Sequence, residues 1–357
     1  MKKVTKTQLF KRQITLSEIG EAGQRKLQEA SVLIVGCGGL GSPIAVQLAA
    51  SGIGKIHLID FDVVDVTNLH RQVFFSIGDV GKSKAECLAN FIKQRAPFTQ
   101  VEFSNASITK KTVFDFISEV DIVIDGTDSL PTKYLLNDAC VLKEKPLVYG
   151  SLYKFDGYVA TFNQKQNDGT NSSNLRDAFP KMATDVPNCE EVGTLNSIVS
   201  LIAAQQVNEV LKIVTGIGKP LTNMLLVYNS LNNTQLTMQL QPAVFKNEIE
   251  YIFNKELYFD ASCEIQNPTW LISSETLKKE IKSFEVISVL EHLQAPFEFN
   301  RTVTISSIRE SEFQPKKEKK YVLVCQKGIT SYLATKLLKE RFPEATVFSL
   351  AGGINDY

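Results

Sequence analysis

The chain has 357 residues, 43% of them hydrophobic, and its 39 Lys+Arg are matched by 39 Asp+Glu. That length predicts one large unit and a smaller one with ample core, and the charge balance removes the electrostatic footprint of a nucleic-acid or membrane-surface protein. No run of about 18 apolar residues occurs and nothing apolar follows the basic start MKKVTKTQLF, so neither a membrane span nor a signal peptide is expected and the location should be cytoplasmic.

Residues 10–29 read as a helical entry. The stretch SVLIVGCGGLGSPIAVQLAASGIGKIHLIDFD (31–62) then gives an apolar strand over Val32 to Val35, a glycine turn, a helix over about Ser42 to Ser51, and a strand from Lys55 to Ile59 that ends at Asp60. A helix over Lys82 to Arg95, strand VEFSNA, helix TVFDFISE, strand DIVIDGT, a helix near Lys133 to Leu142 and strand PLVYGSLY follow. Strands alternating with helices predict an α/β fold, Rossmann-like, with a doubly wound and mostly parallel sheet.

NQKQNDGTNSSN (163–174) holds no apolar residue and reads as an exposed loop. NSIVSLIAAQQVNEVLKIVTG reads as a buried helix, and LLVYNSLNNTQLTMQLQ as a hairpin turning at Asn232 and Asn233. The pattern lapses over 246–269, taken as a linker that divides a first domain (1–245) from a second (270–357). That second domain shows helix SETLKKEIKS, strands FEVISVL and YVLVC, helix TSYLATKLLKERF and strand ATVFSL, ending at AGGINDY.

Gly36, Gly38 and Gly41 fit GxGxxG, with Asp60 closing the next strand. Such glycines let the backbone approach phosphates at a helix N-terminus, while the acid accepts hydrogen bonds from ribose hydroxyls. Alone, the motif suggests a nicotinamide-dependent oxidoreductase. Asp62, then NLHRQ (Asn68 to Gln72, with Arg71) and Lys84 in GKSKAE, add more charge than a dinucleotide needs. DIVID runs into GTDS, which places Asp128 at the carboxyl end of another strand, where open α/β sheets bind ligands. Each charge taken singly reads equally as a solvated surface group. Together they suit a nucleoside triphosphate, with Arg71 and Lys84 neutralising phosphate oxygens and Asp128 holding Mg²⁺ for attack at phosphorus.

GCGGLG, the DFD pair, TNLHRQ, GKSK and GTDS, preceded by KRQI at 11–14, resemble the MoeB/ThiF family of adenylyltransferases, relatives of ubiquitin-activating enzymes, over about residues 8–241. The resemblance implies that ATP activates the C-terminal Gly-Gly carboxylate of a ubiquitin-fold sulfur carrier of the MoaD or ThiS type. Acyl-adenylate and pyrophosphate result, on the way to molybdopterin, thiamine or another sulfur-containing product. It further implies that Gly36, Gly38, Gly39 and Gly41 form the phosphate loop and that Asp60, with Asp62 beside it, takes the ribose. Asn68, Arg71, Gln72 and Lys84 become phosphate and transition-state contacts, and Asp128, followed by Ser129, the magnesium site. Arg12 matches an arginine that reaches the triphosphate from the neighbouring subunit, which implies a homodimer. Fixed cations, a metal and aligned reactants are also what physics asks for when a carboxylate attacks an anionic phosphate.

The sequence departs from the family at Ser129, usually Asn, and at Lys133, usually Arg. Where relatives commonly carry CxxC, NLRDAFP presents Asn174 and Asp177, so no zinc is expected. The six cysteines are scattered without a CxxC pair, which argues against a disulfide framework and leaves reactive thiols as the special case.

Two cysteines stand in suggestive contexts. Cys189, in PNCEEVGTL, matches a family cysteine that attacks the activated carboxylate or receives a persulfide; its plain alternative is a small buried apolar residue. Cys325 ends YVLVC and opens CQKGITSYLATKLL, where a helix N-terminus and Lys327 favour an anion. CxxGxxS before a helix, then LAGGI, resembles the rhodanese-like sulfurtransferase domain over about 270–357, here short and degenerate, with Ser288 and Leu290 in place of an acid and an arginine and Thr330 in place of another arginine. The resemblance implies sulfur transfer through Cys325, loaded by a persulfide donor such as a cysteine desulfurase. A docking module that binds nucleotide or carrier without turnover is the competing reading outside the enzymes.

Overall fold

The computed structural model describes residues 4–182, 193–256, 258, 266–309, 311–326 and 328–357. Contacts divide the chain after Tyr258.

The first unit opens with two single-turn helices, α1 (Lys6–Leu9) and α2 (Lys11–Ile14), and a longer α3 (Gly20–Glu29). Strands β1 (Ser31–Val35), β2 (Lys55–Ile59), β3 (Gln100–Ser104), β4 (Ile122–Asp125) and β5 (Leu147–Tyr153) alternate with helices α4 (Gly41–Ala50), α5 (Lys84–Arg95), α6 (Val113–Ser118) and α7 (Leu130–Lys143). β6 (Asp156–Phe162), helices α8 (Leu175–Ala178) and α9 (Asn196–Thr215), and the hairpin β7 (Met224–Asn229) and β8 (Thr234–Gln239) follow. Their sheet runs β3-β2-β1-β4-β5-β6-β7-β8, parallel from β3 to β5 and antiparallel thereafter. This is the expected doubly wound, mostly parallel sheet. The parallel core strands are near-continuous apolar runs because helices cover both faces: Val32 and Ile34 pack with α4 and α9, Leu33 and Val35 with α6 and α7.

α9 is long and apolar enough in composition to cross a membrane. Its apolar side, Ile198, Val199, Ile202, Ala203 and Val210, instead lies in the core beside α4. The hairpin turns as expected, with Asn233 in the left-handed region at φ 51°.

Two expectations are corrected. The 163–174 loop is exposed at its tip, but Asn163 and Ser172 to Asn174 are buried, because the segment folds back on itself through Asn163 N–H to Ser173 O and Ser172 N–H to Gln164 O. The stretch 246–269 does not begin as a linker: α10 (Lys246–Lys255) buries Ile249 and Phe253. Phe253 packs on Phe114 and Tyr258, and the Tyr258 hydroxyl donates to Asp138 Oδ2 at 2.5 Å. The observed division therefore falls at 258, not 245.

The second unit is a five-stranded parallel sheet in the order β11 (Arg301–Thr302), β10 (Glu285–Ser288), β12 (Lys320–Val324), β13 (Thr346–Leu350), β9 (Leu271–Ile272). Helices α11 (Ser274–Glu280), α12 (Ile305–Arg309) and α13 (Ile329–Arg341) connect it. Val286, Val322, Val324 and Leu350 form its centre.

Candidate functional site

The glycine turn joins β1 to α4. Gly36 sits at φ 88°, and a Cβ on Gly41 would lie 1.7 Å from the Gly36 carbonyl oxygen, so only glycine lets the helix start this close to the strand. Gly126, at the end of β4, presses on the same carbonyl, with an added Cβ 2.8 Å from it. The ends of β1 and β4 therefore meet at the turn.

From β2, Asp60 reaches under the turn: Oδ2 accepts the Cys37 N–H at 2.6 Å and Oδ1 the Asp62 N–H at 2.7 Å. Burial outweighs these bonds and holds the Asp60 carboxyl above its ordinary range. Burial also pushes the Cys37 thiol well up, which leaves it a packing residue. Lys84, the first residue of α5, is 6% exposed and reaches Asp62 Oδ2 at 2.8 Å. Asn68 closes a short 3-10 turn and is buried, and its carbonyl accepts the N–H groups of Arg71 and Gln72.

That turn carries the next two side chains to the glycines. Gln72 is 3% exposed, and its Nε2 would lie 3.3 Å from a Cβ on Gly38. Its Oε1 is buried without a partner. Arg71 lies along the turn, its Cγ 3.9 Å from where a Gly39 Cβ would stand, and its Nη1 is 3.1 Å from His70 Nε2. At the end of β4, Asp125 Oδ1 accepts the Thr127 N–H and hydroxyl, and exposed Asp128 directly precedes Ser129. Ser129 caps α7 by accepting the Thr132 N–H, with proline in the first turn.

One residue of the expected set stands apart within the single chain. Arg12 is exposed on α2, whose Gln13 bonds Ser51 O at the C-terminal end of α4. That end is ~15 Å along the axis from the glycine turn, at 1.5 Å per residue. Lys133 does not face the crevice. It is buried, with Nζ 2.9 Å from Asp125 Oδ2 and 2.7 Å from Gly150 O. Cys189 and Lys327 lie outside the described residues.

Asn174 and Asp177 form a capping box on α8. Asp177 Oδ1 also accepts the N–H groups of Ala243 and Val244 at 2.8 Å, and Asn174 Nδ2 donates to Val244 O at 2.9 Å. Neighbouring Arg176 forks onto Asp138, which Asn137 and Tyr258 also bond.

In the second unit Cys325 follows β12, 2% exposed. The Ser331 N–H, in the first turn of α13, donates to its sulfur at 3.3 Å. Gly353 backs the turn so closely that a Cβ would meet the Cys325 and Gln326 carbonyl oxygens at about 2.5 Å. Ser288 is buried and bonds Leu290 O within its own turn. Sequence reading took Ser331 only as the last residue of CxxGxxS and missed Asp125, Lys133 as its partner, and Ser349; these three are polar residues among apolar neighbours, the one signal that could have found them.

Residues 10–248 match the ThiF family. The Mycobacterium tuberculosis protein named probable adenylyltransferase/sulfurtransferase MoeZ is 32% identical over 97% of this chain and 91% of its own length. The sulfur carrier protein adenylyltransferase of Thermus thermophilus is 38% identical over 65% of this chain and 88% of its own. The crystal structure of E. coli MccB with ATP aligns with a TM-score of 0.55 at 26% identity, over 62% of this chain and 67% of that one.

Proposed function

Because this chain belongs to the ThiF family, we propose that it is an adenylyltransferase that uses ATP to activate the C-terminal Gly-Gly carboxylate of a ubiquitin-fold sulfur carrier, coupled to sulfur transfer. The relatives' names support both halves, since the M. tuberculosis likeness runs through the second unit. The observation that carries the reading is the meeting of three strand ends at one crevice: the β1 glycine turn, Asp60 and Asp62 from β2, and the Asp128 loop from β4. Lys84, Arg71 and Gln72 line it.

The residues fit a nucleotide. Gln72 presents its Nε2, a donor suited to phosphate oxygens, 3.3 Å from where a Gly38 Cβ would stand, while its buried Oε1 has no partner. Asp60 would take ribose hydroxyls, and Arg71 and Lys84 would neutralise phosphate, Lys84 turning from Asp62. Asp128 would hold Mg²⁺, which when bound supplies positive charge against the phosphate oxygens. Water exclusion and alignment fall to the glycine turn and to Asn68, buried at the end of the 3-10 turn that carries Arg71 and Gln72.

Arg12 sits at the wrong end of α4 for its own crevice, which supports its donation to a second copy and hence a homodimer. Asn174 and Asp177 are committed to hydrogen bonds with 243–244, so the reading includes no zinc. Cys325, charged by a persulfide donor such as a cysteine desulfurase, would pass sulfur to the activated carrier. Label exchange between pyrophosphate and ATP tests adenylation: it should require a Gly-Gly carrier and vanish in Asp128→Ala, whereas carrier-independent exchange or none would reject the reading.

A further inference from the structure

Cys325 and two buried hydroxyls form a continuous chain in the second unit. Ser331 Oγ is 3.3 Å from Cys325 Sγ and 2.8 Å from Ser349 Oγ, and Ser349 Oγ donates to the Gly328 carbonyl at 3.5 Å. Both serines are 0% exposed. They come from different elements, Ser331 from α13 and Ser349 from β13. Ser349 stands where β13 is otherwise core, between Val347 and Leu350 among buried positions, and an alanine there would fill the same layer without a polar group.

We propose that Ser349 is a positioning residue for the sulfur chemistry of Cys325, acting through Ser331 to solvate the sulfur as an anion. The inference rests on the sulfur-transfer reading of Cys325. A hydroxyl both donates and accepts, so the chain has two polarities. With the thiol protonated, S–H donates to Ser331 Oγ, Ser331 to Ser349, and Ser349 to the Gly328 carbonyl. When the thiol gives its proton to solvent the direction reverses. Ser349 O–H then donates to Ser331 Oγ, and Ser331 O–H donates to the thiolate alongside the Ser331 N–H. The reversal breaks the 3.5 Å hydrogen bond to Gly328, already the longest of the three. In its place stands a hydrogen bond to a charged acceptor, the stronger kind. Ser349 thereby orients and polarises the Ser331 hydroxyl toward a buried sulfur that it does not itself touch.

The test is site-resolved alkylation of Cys325 by iodoacetamide in the full chain at one fixed pH. Ser349→Ala should slow alkylation about three-fold, since the Ser331 hydroxyl on the anion loses the hydrogen bond that orients and polarises it, with carrier-dependent pyrophosphate exchange unchanged. Ser349→Thr keeps the hydroxyl and should return the rate to within about two-fold; Ser349→Val has the same shape without it and should not. Equal rates for Ser349→Ala and the natural chain, recovery in Ser349→Val, or no alkylation of Cys325 in the natural chain would overturn the proposal. Failure of the underlying reading is separable: sulfur transfer undiminished in Cys325→Ala would remove that reading and leave the alkylation comparison standing.

Discussion

Lys133 Nζ lies 2.9 Å from Asp125 Oδ2, with the two side chains 2% and 0% exposed. The pair sits directly behind the crevice, because Asp125 also bonds Thr127, the residue before Asp128. Gln206 adds an amide to the Asp125 carbonyl oxygen at 2.8 Å.

Removing one member of a buried pair strands the other charge. Lys133→Met should cost ~3–5 kcal/mol in urea denaturation. Asp125→Asn combined with it should recover part of the loss, because the stranded carboxylate is then gone. A double variant less stable than both single ones would contradict this account of the pair.

Asp128 is exposed, so its replacement should separate activity from stability. Asp128→Asn should change stability by less than about 0.5 kcal/mol and reduce pyrophosphate exchange by roughly 10²-fold or more, the scale of losing charge stabilisation at phosphorus. A melting temperature that falls together with the activity would recast Asp128 as structural.

The buried Asp60 carboxyl should impose a pH slope on stability. Its folded value is raised, chiefly by burial, so the protonated form is favoured by folding, and that stability is lost as pH rises through the folded value. Asp60→Asn carries no such titration. Relative to the natural chain, the variant should melt comparatively higher at neutral pH than in acid. It keeps an acceptor for Cys37 but offers an amide to the Asp62 N–H, a cost that is the same at every pH. A constant difference in melting temperature across the range would show that Asp60 does not titrate as described.

The Asn174–Asp177 clasp predicts insensitivity to metal removal. Asp177→Ala frees the Ala243 and Val244 N–H groups together with the α8 cap and should destabilise by about 1–3 kcal/mol. A strong chelator should leave the melting temperature of the natural chain unchanged. A chelator-dependent drop would place a metal where these bonds are drawn.

Much of the first unit was legible because its signals are local: the β1 and β4 runs are apolar throughout, and the glycine turn is written in consecutive residues. α10 was not, since KNEIEYIFNK shows a short apolar stripe, Ile249, Ile252 and Phe253, among charges, and that stripe becomes decisive only where Phe253 meets Phe114 and Tyr258. β9 and β11 have two residues each and exist through their neighbours in the sheet. At the site, residue types gave Asp60, Arg71 and Lys84, but not their partners. Lys133 reads only as a replacement for a family arginine until Asp125 is seen 2.9 Å away. Ser331 and Ser349 are 18 residues apart and meet only after the strand and helix pack. Arg12 illustrates a third limit, because a role proposed toward a second copy cannot be read from the single chain's contacts.

The most direct measurement of the central claim is incorporation of labelled pyrophosphate into ATP by the purified chain with a ubiquitin-fold carrier ending in Gly-Gly. Exchange should appear with the intact carrier, disappear when its terminal glycine is removed, and disappear in Arg71→Ala and Lys84→Ala. Exchange that ignores the carrier's terminus, or survives both substitutions, would contradict a crevice built to bring triphosphate and protein carboxylate together.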